Sequence, residues 1–133
     1  MVSFDVIQKY FGPLVKVEDF VVSTPIYHQC VMHKSAAIRV SVTIGENCLL
    51  GANTKVEDGV ELGPGVIVLN HTTINTYVKV GRETVVGGGT NIGTGSIIDA
   101  FLKIGNFVNI CPGAVVVEDI PDFSTVFGKT LPF

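Results

Sequence analysis

Residues 44–92 read IGENCLLGANTKVEDGVELGPGVIVLNHTTINTYVKVGRETVVGGGTNI, and an aliphatic residue opens every sixth position of the stretch. These are Ile44, Leu50, Val56, Leu62, Val68, Ile74, Val80, Val86 and Ile92. The same phase extends outward through Ile38, Met32, Ile26 and Phe20 on one side and through Ile98, Ile104, Ile110 and Val116 on the other. Four residues after each stands a small or apolar residue, among them Cys30, Cys48, Thr54, Val60, Val66, Thr72, Thr84 and Thr90. Glycine directly follows the aliphatic at Gly45, Gly51, Gly63, Gly81, Gly87, Gly93 and Gly105. Seventeen hexads therefore run in one register without an insertion. A period of six is neither the 3.6 of a helix nor the 2 of an ordinary strand. It fits a short strand and a tight corner repeated around a prism, with the aliphatic and the small residue inward and glycine relieving crowding at the corner. Three hexads close one triangular coil, and parallel-sheet hydrogen bonds stack the coils about 4.8 Å apart.

Composition agrees with one domain of this kind. The chain has 133 residues, 47% hydrophobic and only 16% charged, with 15 glycines. That excludes a disordered chain and a charged helical bundle. A net charge of -3 gives no basic footprint for nucleic acid. No apolar run is long enough for a membrane span. The opening MVSFDVIQKYFG lacks the basic and apolar regions of a signal peptide. Three cysteines without paired spacing fit a reducing compartment, so a cytoplasmic protein is expected. Residues 1–19 are expected to form an N-terminal cap, 20–121 the coil domain and 122–133 a C-terminal tail with a turn and a strand. Val6, Ile7, Tyr10 and Phe11 have helical spacing ahead of Gly12-Pro13, which predicts a short helical lid on the open end of the prism.

Coil arithmetic stacks residues eighteen apart. Val31, Leu49, Ile67 and Val85 then form an outward aliphatic stripe on one face, while the matching columns of the other two faces are mixed. A solvated face does not keep four aliphatics in a row, so the stripe predicts a subunit contact or a surface covered by the termini. Cys30 and Cys48 stack inward, as small core residues or as a redox pair. At one corner Asn53, His71 and Gly89 form a column, with Gly87-Gly88-Gly89 above Leu69-Asn70-His71. An exposed imidazole there is a candidate general base, with an ordinary surface histidine as the alternative. The glycines would admit a ligand and offer a backbone N–H to a developing oxyanion.

Three stretches carry a family resemblance: MHKSAAIRVSVTIGENCLLGAN (32–53), VIVLN (66–70) and GAVVVEDIPDFSTVFG (113–128). With the hexads, they make the chain similar to hexapeptide-repeat acyltransferases, closest to bacterial sialic acid and sugar O- and N-acetyltransferases. The resemblance implies an all-β, left-handed parallel β-helix of a little under six coils, assembled as a homotrimer through the Val31, Leu49, Ile67 and Val85 face. It also implies acetyl transfer from acetyl-CoA to a hydroxyl or amine of a sugar or similar small acceptor, without a metal. His71 would be the base, Asn70 its orienter and Gly89 the oxyanion donor, with Gly87, Gly88, Gly89 and Asn53 along the acetyl-CoA groove. Where that family has Asp-His this chain has Asn75-Thr76. A non-catalytic scaffold or assembly subunit on the same prism is therefore the second reading.

Other chemistries fail on spacing. His28, His33 and His71 lie at different corners or at separations that are not whole coils, so they cannot converge on one zinc ion. Gly128-Lys129-Thr130 lacks the earlier glycine of a phosphate loop, and no strand-turn-helix unit surrounds Gly87-Gly88-Gly89. Most repeat threonines point inward, at the fifth hexad position, which rules out a flat outward threonine ladder.

Overall fold

The computed structural model describes residues 4–23 and 29–130. From Ile38 to Val116, each repeat aliphatic is the second residue of a two-residue strand, as in Thr43–Ile44, Leu49–Leu50 and Lys55–Val56. Its side chain points into the prism and its predecessor faces outward. Strands eighteen residues apart pair in parallel, with Leu49 beside Ile67, Lys55 beside Thr73 and Glu61 beside Lys79. Three sheets result, of six, six and five strands in the order the chain visits them, and from Cys30–His33 to Val115–Val116 each strand pairs with the third strand before or after it. The chain is an all-β, left-handed parallel β-helix of five complete turns with one short N-terminal helix.

A sixth, tighter turn closes the C-terminal end. Ile120 bridges Ile104, Thr125–Val126 pairs in parallel with Asn109–Ile110, and Lys129 bridges Val115. Its offsets fall from eighteen residues to sixteen and fourteen, so Ile120, a fifth-position residue by hexad phase, takes a strand position. The residues after Pro121 thus continue the winding.

Inside, Val56, Val68, Ile74, Val86, Ile92 and Ile110 are fully buried. The inward hydroxyls are buried too, and each donates to a main-chain carbonyl: Thr72 to Gly87 at 2.7 Å, Thr90 to Gly105 at 2.7 Å, Ser96 to Cys111 at 3.0 Å. A buried hydroxyl without such a partner would be costly, which is why short Thr and Ser suit the fifth hexad position. The glycine after the aliphatic is required by close stacking. A Cβ on Gly63 would lie 2.6 Å from Arg82 N and 2.9 Å from Arg82 Cα in the next turn.

The N-terminal segment departs from expectation. Helix α1 (Phe4–Phe11) ends where the Gly12 N–H donates to Gln8 O at 2.8 Å, with Gly12 at φ 91°. It lies along the side of the first sheet, not across the open end. Ile7, Val31 and Leu49 form one buried cluster, with Val6, Tyr10, Phe11, Val15, Phe20 and Ile67 packed around it. The stripe predicted as a trimer contact is thus buried at Val31 and Leu49, and partly covered at Ile67, by the chain's own helix. The physical reason is economy of burial: an amphipathic helix tethered to the prism reaches the stripe without any association step. Strand β1 (Phe20–Ser23) then runs antiparallel to β2 (Cys30–His33), with Phe20 opposite His33. Phe20 is therefore a cap residue and not the first coil aliphatic, and the parallel winding starts at Val31. Ile26, the aliphatic of the second hexad, lies outside the described residues, as does His28.

Candidate functional site

The corner between the first and second sheets carries the predicted site residues. One position of this corner adopts the left-handed conformation in successive turns: Asn53 (φ 55°), His71 (φ 64°), Gly89 (φ 69°), Phe107 (φ 54°) and Phe123 (φ 63°). Each of these main chains is pinned to the turn beneath. The Asn53 N–H donates to Ser35 Oγ at 2.8 Å, His71 N–H to Ala52 O at 2.8 Å, and Phe107 N–H to Gly88 O at 2.8 Å. His71 is exposed, and among the described residues no side-chain hydrogen bond or ion pair involves it.

Two predicted roles do not match the geometry. The Gly89 N–H, assigned to an oxyanion, donates to Asn70 O at 2.9 Å and is spent on holding the turns together. The Asn70 side chain, assigned to the imidazole, turns down the prism, where its Oδ1 accepts from the Ala52 N–H at 2.7 Å. Gly88 N–H is likewise occupied, by Asn106 Oδ1 at 2.8 Å. Gly87 is buried, and a Cβ there would collide with the main chain of Gly105, so its glycine serves stacking. Asn53 is exposed two turns below Gly89.

Beside this corner the first sheet carries a groove of about 550 Å³, within the range of small-ligand sites. Leu69, Val85 and Gly87 form its floor, Lys9 and Tyr10 of α1 one wall, and Lys103, Asn106, Asp119 and Asp122 its far side. Its floor thus ends at Leu69 and Gly87, the residues next to Asn70 and Gly88. The two aspartates also brace the tighter turn: Asp119 Oδ1 accepts from Lys103 N–H at 2.9 Å, and Asp122 Oδ1 from Asn106 N–H at 2.8 Å. Lys103 was findable from sequence, since it stands eighteen residues above Val85. Lys9 was not, because no repeat arithmetic says where α1 docks. A larger groove, about 730 Å³, runs along the third sheet over Gly45, Gly63 and Gly81, with Glu61, Lys79 and Ile97 beside it.

The remaining candidates are structural. Asn75 donates to Ile92 O at 2.7 Å and to Asn91 Oδ1 at 3.1 Å, and Asn91 to Asn109 Oδ1 at 3.2 Å, an amide ladder where the resembling family keeps its Asp-His. His33 Nδ1 bonds Ser35 Oγ at 2.7 Å, and its Nε2 lies 3.9 Å from Asp19. Among the described residues no group of three or more His, Cys, Asp or Glu is placed to hold a metal ion. No described helix is long and apolar enough to cross a membrane.

A glycine-cornered prism with an outward groove places the chain among hexapeptide-repeat proteins. Residues 26–121 match the family described as the GMPPB C-terminal domain, and the chain belongs to that family. No curated protein matches it in sequence. Among solved structures it is similar to serine acetyltransferase isoform 3 from Entamoeba histolytica, in complex with cysteine, at TM-score 0.56 and 19% identity over 77% of this chain and 36% of that one. It is also similar to the acetyltransferase domain of PglB from Neisseria gonorrhoeae, in complex with acetyl coenzyme A, at 29% identity and TM-score 0.36, covering 74% and 54% of the two chains. A mutant GDP-perosamine N-acetyl transferase from Caulobacter crescentus, with CoA and GDP-perosamine, gives 22% identity and TM-score 0.39 over 74% and 53%. The chain thus spans between about a third and just over half of these proteins. The hexapeptide-repeat resemblance holds, and what the first of these likenesses establishes is the fold.

Proposed function

We propose that the chain is an acyltransferase module that moves an acetyl group from acetyl-CoA to a hydroxyl or amine of a sugar or similar small acceptor in the cytoplasm. The observation that carries this reading is the exposed imidazole of His71 at the corner where the first-sheet groove ends. Imidazole is the side chain suited to removing a proton near neutral pH. Lys9 and Lys103, on opposite sides of the groove, supply positive charge for the phosphates of coenzyme A. The proposed assembly is a homotrimer, with its contact outside the Val31–Leu49–Ile67 surface that α1 covers.

His71→Ala tests the reading. Loss of the base should lower kcat by about 10²–10⁴-fold with KM for acetyl-CoA little changed and the fold intact, because His71 is exposed. Unchanged turnover would clear His71 of any role.

A non-catalytic assembly module is the second reading. It is favoured by the Asn75–Asn91–Asn109 ladder, which fills with amides the place where the resembling family keeps its reactive pair. Calorimetric titration with acetyl-CoA, with the solution mass measured on the same sample, separates the two. Saturable binding supports the transferase. Absence of binding by a well-folded protein supports the assembly module.

A further inference from the structure

Neither backbone preference nor burial accounts for Phe107 and Phe123. Both stand in the left-handed column of the His71 corner, at φ 54° and 63°, a conformation that bulky residues rarely adopt. The turns below fill that column with Asn53, His71 and Gly89, residue types that tolerate it. Folding hides little of either ring: Phe107 is 62% exposed and Phe123 76%. Two large apolar side chains, held in an unfavourable conformation and left in water at one corner, point to a use outside the core.

The two rings are parallel. Their planes differ by 7° and their centroids lie 5.5 Å apart, an offset stack of the kind aromatic quadrupoles favour. A Cβ on Gly89 would come within 2.6 Å of Phe107 Cδ1 and Cε1, so the lower ring lies against a residue with no side chain to displace it. The main chain is pinned as well, Phe107 N–H to Gly88 O at 2.8 Å and Phe123 N–H to Asn106 O at 2.9 Å. Phe107 covers one face of Phe123 and leaves the other to solvent. Tyr77 and Phe101 take the same backbone conformation at the other two corners, but no ring among the described residues stacks on either.

The stack adjoins the first-sheet groove, because Asn106 and Asp122, which line that groove, directly precede the two phenylalanines. Asp122 gives one carboxylate oxygen to the Asn106 N–H at 2.8 Å, and the other has no partner among the described residues. Lys9 and Lys103 line the same groove. A flat apolar face, a free carboxylate oxygen and two ammonium groups match the three parts of a nucleotide: its base, its ribose hydroxyls and its phosphates. We infer that the Phe107–Phe123 stack binds the heterocyclic base of a nucleotide whose phosphates lie in the groove. This rests on the transferase reading, in which coenzyme A is one such ligand and a nucleotide-linked acceptor sugar is another. Stacking suits either, since every base has a π-face.

The test is an NMR titration of the ¹⁵N-labelled protein carrying ¹³C-labelled phenylalanine. The probes are acetyl-CoA, the adenosine bisphosphate that ends coenzyme A, guanosine diphosphate, uridine diphosphate and, as a ligand without a base, ribose phosphate. A base-bearing probe should shift the ring protons of Phe107 and Phe123, and ribose phosphate should not. Tighter binding of the adenosine bisphosphate assigns the base to coenzyme A, and tighter binding of a diphosphate assigns it to the acceptor. Phe123→Leu keeps an apolar side chain without a flat face and should weaken the bound probe about 5- to 150-fold, whereas Phe123→Trp should hold it as the parent does. Because Phe123 is exposed, both variants keep the fold. Equal affinity in Phe123→Leu overturns the inference. Acetyl-CoA shifts at groove residues such as Leu69, Val85 and Lys103, with ring protons silent to every probe, also overturn it and leave the transferase reading standing. No shift anywhere with any probe overturns both.

Discussion

The Gly89 amide donates to the Asn70 carbonyl at 2.9 Å, one turn below it, while the Asn70 side chain reaches a further turn down to the Ala52 amide at 2.7 Å. The two residues first expected to act on a reacting acyl group are thus both main-chain fasteners of the corner. The same pair of bonds ties three successive turns of the corner together and fixes the main chain on which the exposed His71 stands.

Ile7 is the residue that fastens α1 to the prism. It is 4% exposed and packs on Val31 and Leu49. Ile7→Ala should therefore cost about 2–4 kcal/mol of helix docking. Because α1 covers an otherwise aliphatic surface, loosening it should expose Val31, Leu49 and Ile67. We expect increased binding of a hydrophobic dye and concentration-dependent association by sedimentation, with the β-sheet circular dichroism retained. A variant that stays monodisperse and dye-silent would show that the helix is not needed to cover the stripe.

Gly63→Ala should be among the most damaging single-methyl changes in the chain. The added Cβ would sit 2.6 Å from Arg82 N and 2.9 Å from Arg82 Cα, and main-chain atoms of a hydrogen-bonded turn cannot step aside. Gly113, by contrast, has nothing within 4 Å of such a Cβ, though its φ of 77° still disfavours a side chain. Overpacking predicts a loss of about 1–3 kcal/mol at Gly63, read as a lower urea midpoint with an unchanged slope. A midpoint equal to that of the parent would mean the turns can separate locally.

How far the sequence reaches is set by what is periodic. The inward aliphatics, the hydroxyls under the corners and the glycines between turns are all dictated by an eighteen-residue geometry, so they could be placed by counting. Phe20 and Ile120 keep the hexad phase yet leave the regular winding. The first is drawn into an antiparallel cap opposite His33, and the second into a shortened turn beside Ile104. Phase alone cannot detect a reversal of direction or a lost pair of residues. The helix posed the same problem in another form: its apolar face was evident, but the surface it covers follows from the tether through Val17–Asp19 and β1. At the site, counting put His71, Asn70 and the glycines at one corner. It could not say which N–H was already used, because that depends on side chains from the turn above.

Acid should loosen the cap before the prism. Asp19 Oδ1 lies 3.0 Å from Lys34 Nζ, and its main-chain oxygen accepts from the Lys34 N–H at 2.8 Å. The hydrogen bond from Lys34 holds the Asp19 carboxyl below its ordinary value of 3.8 against an opposing desolvation, and the charges of Lys34, His33 and Lys16 add smaller lowering contributions. A carboxyl whose folded pKa is depressed contributes stability that is complete above the unfolded value and is lost as pH falls through the folded one. Cap stability should therefore decline as pH drops below about 4, and Asp19→Asn should flatten that decline while lowering stability at neutral pH. Hydrogen exchange at the Phe20–Ser23 amides against pH reads it directly. An identical acid profile in the Asn variant would place the titrating group elsewhere.

The three cysteines should separate cleanly by reactivity. Cys30 and Cys48 are fully buried and stacked, and their thiols donate to Gly45 O at 3.0 Å and Gly63 O at 3.2 Å. The neighbouring Cys30 thiol and burial push the Cys48 thiol up, whereas the neighbouring Cys48 thiol brings Cys30 down. A lowered thiol inside a dry prism stays shielded, since reaction needs access as well as thiolate. Cys111 is partly exposed on the second sheet. A coloured thiol reagent at pH 8 should therefore label one cysteine in the folded protein and three after denaturation. Labelling of all three without denaturant, at the rate seen for Cys111, would show that the first turn opens readily and that Cys30 and Cys48 are more than packing.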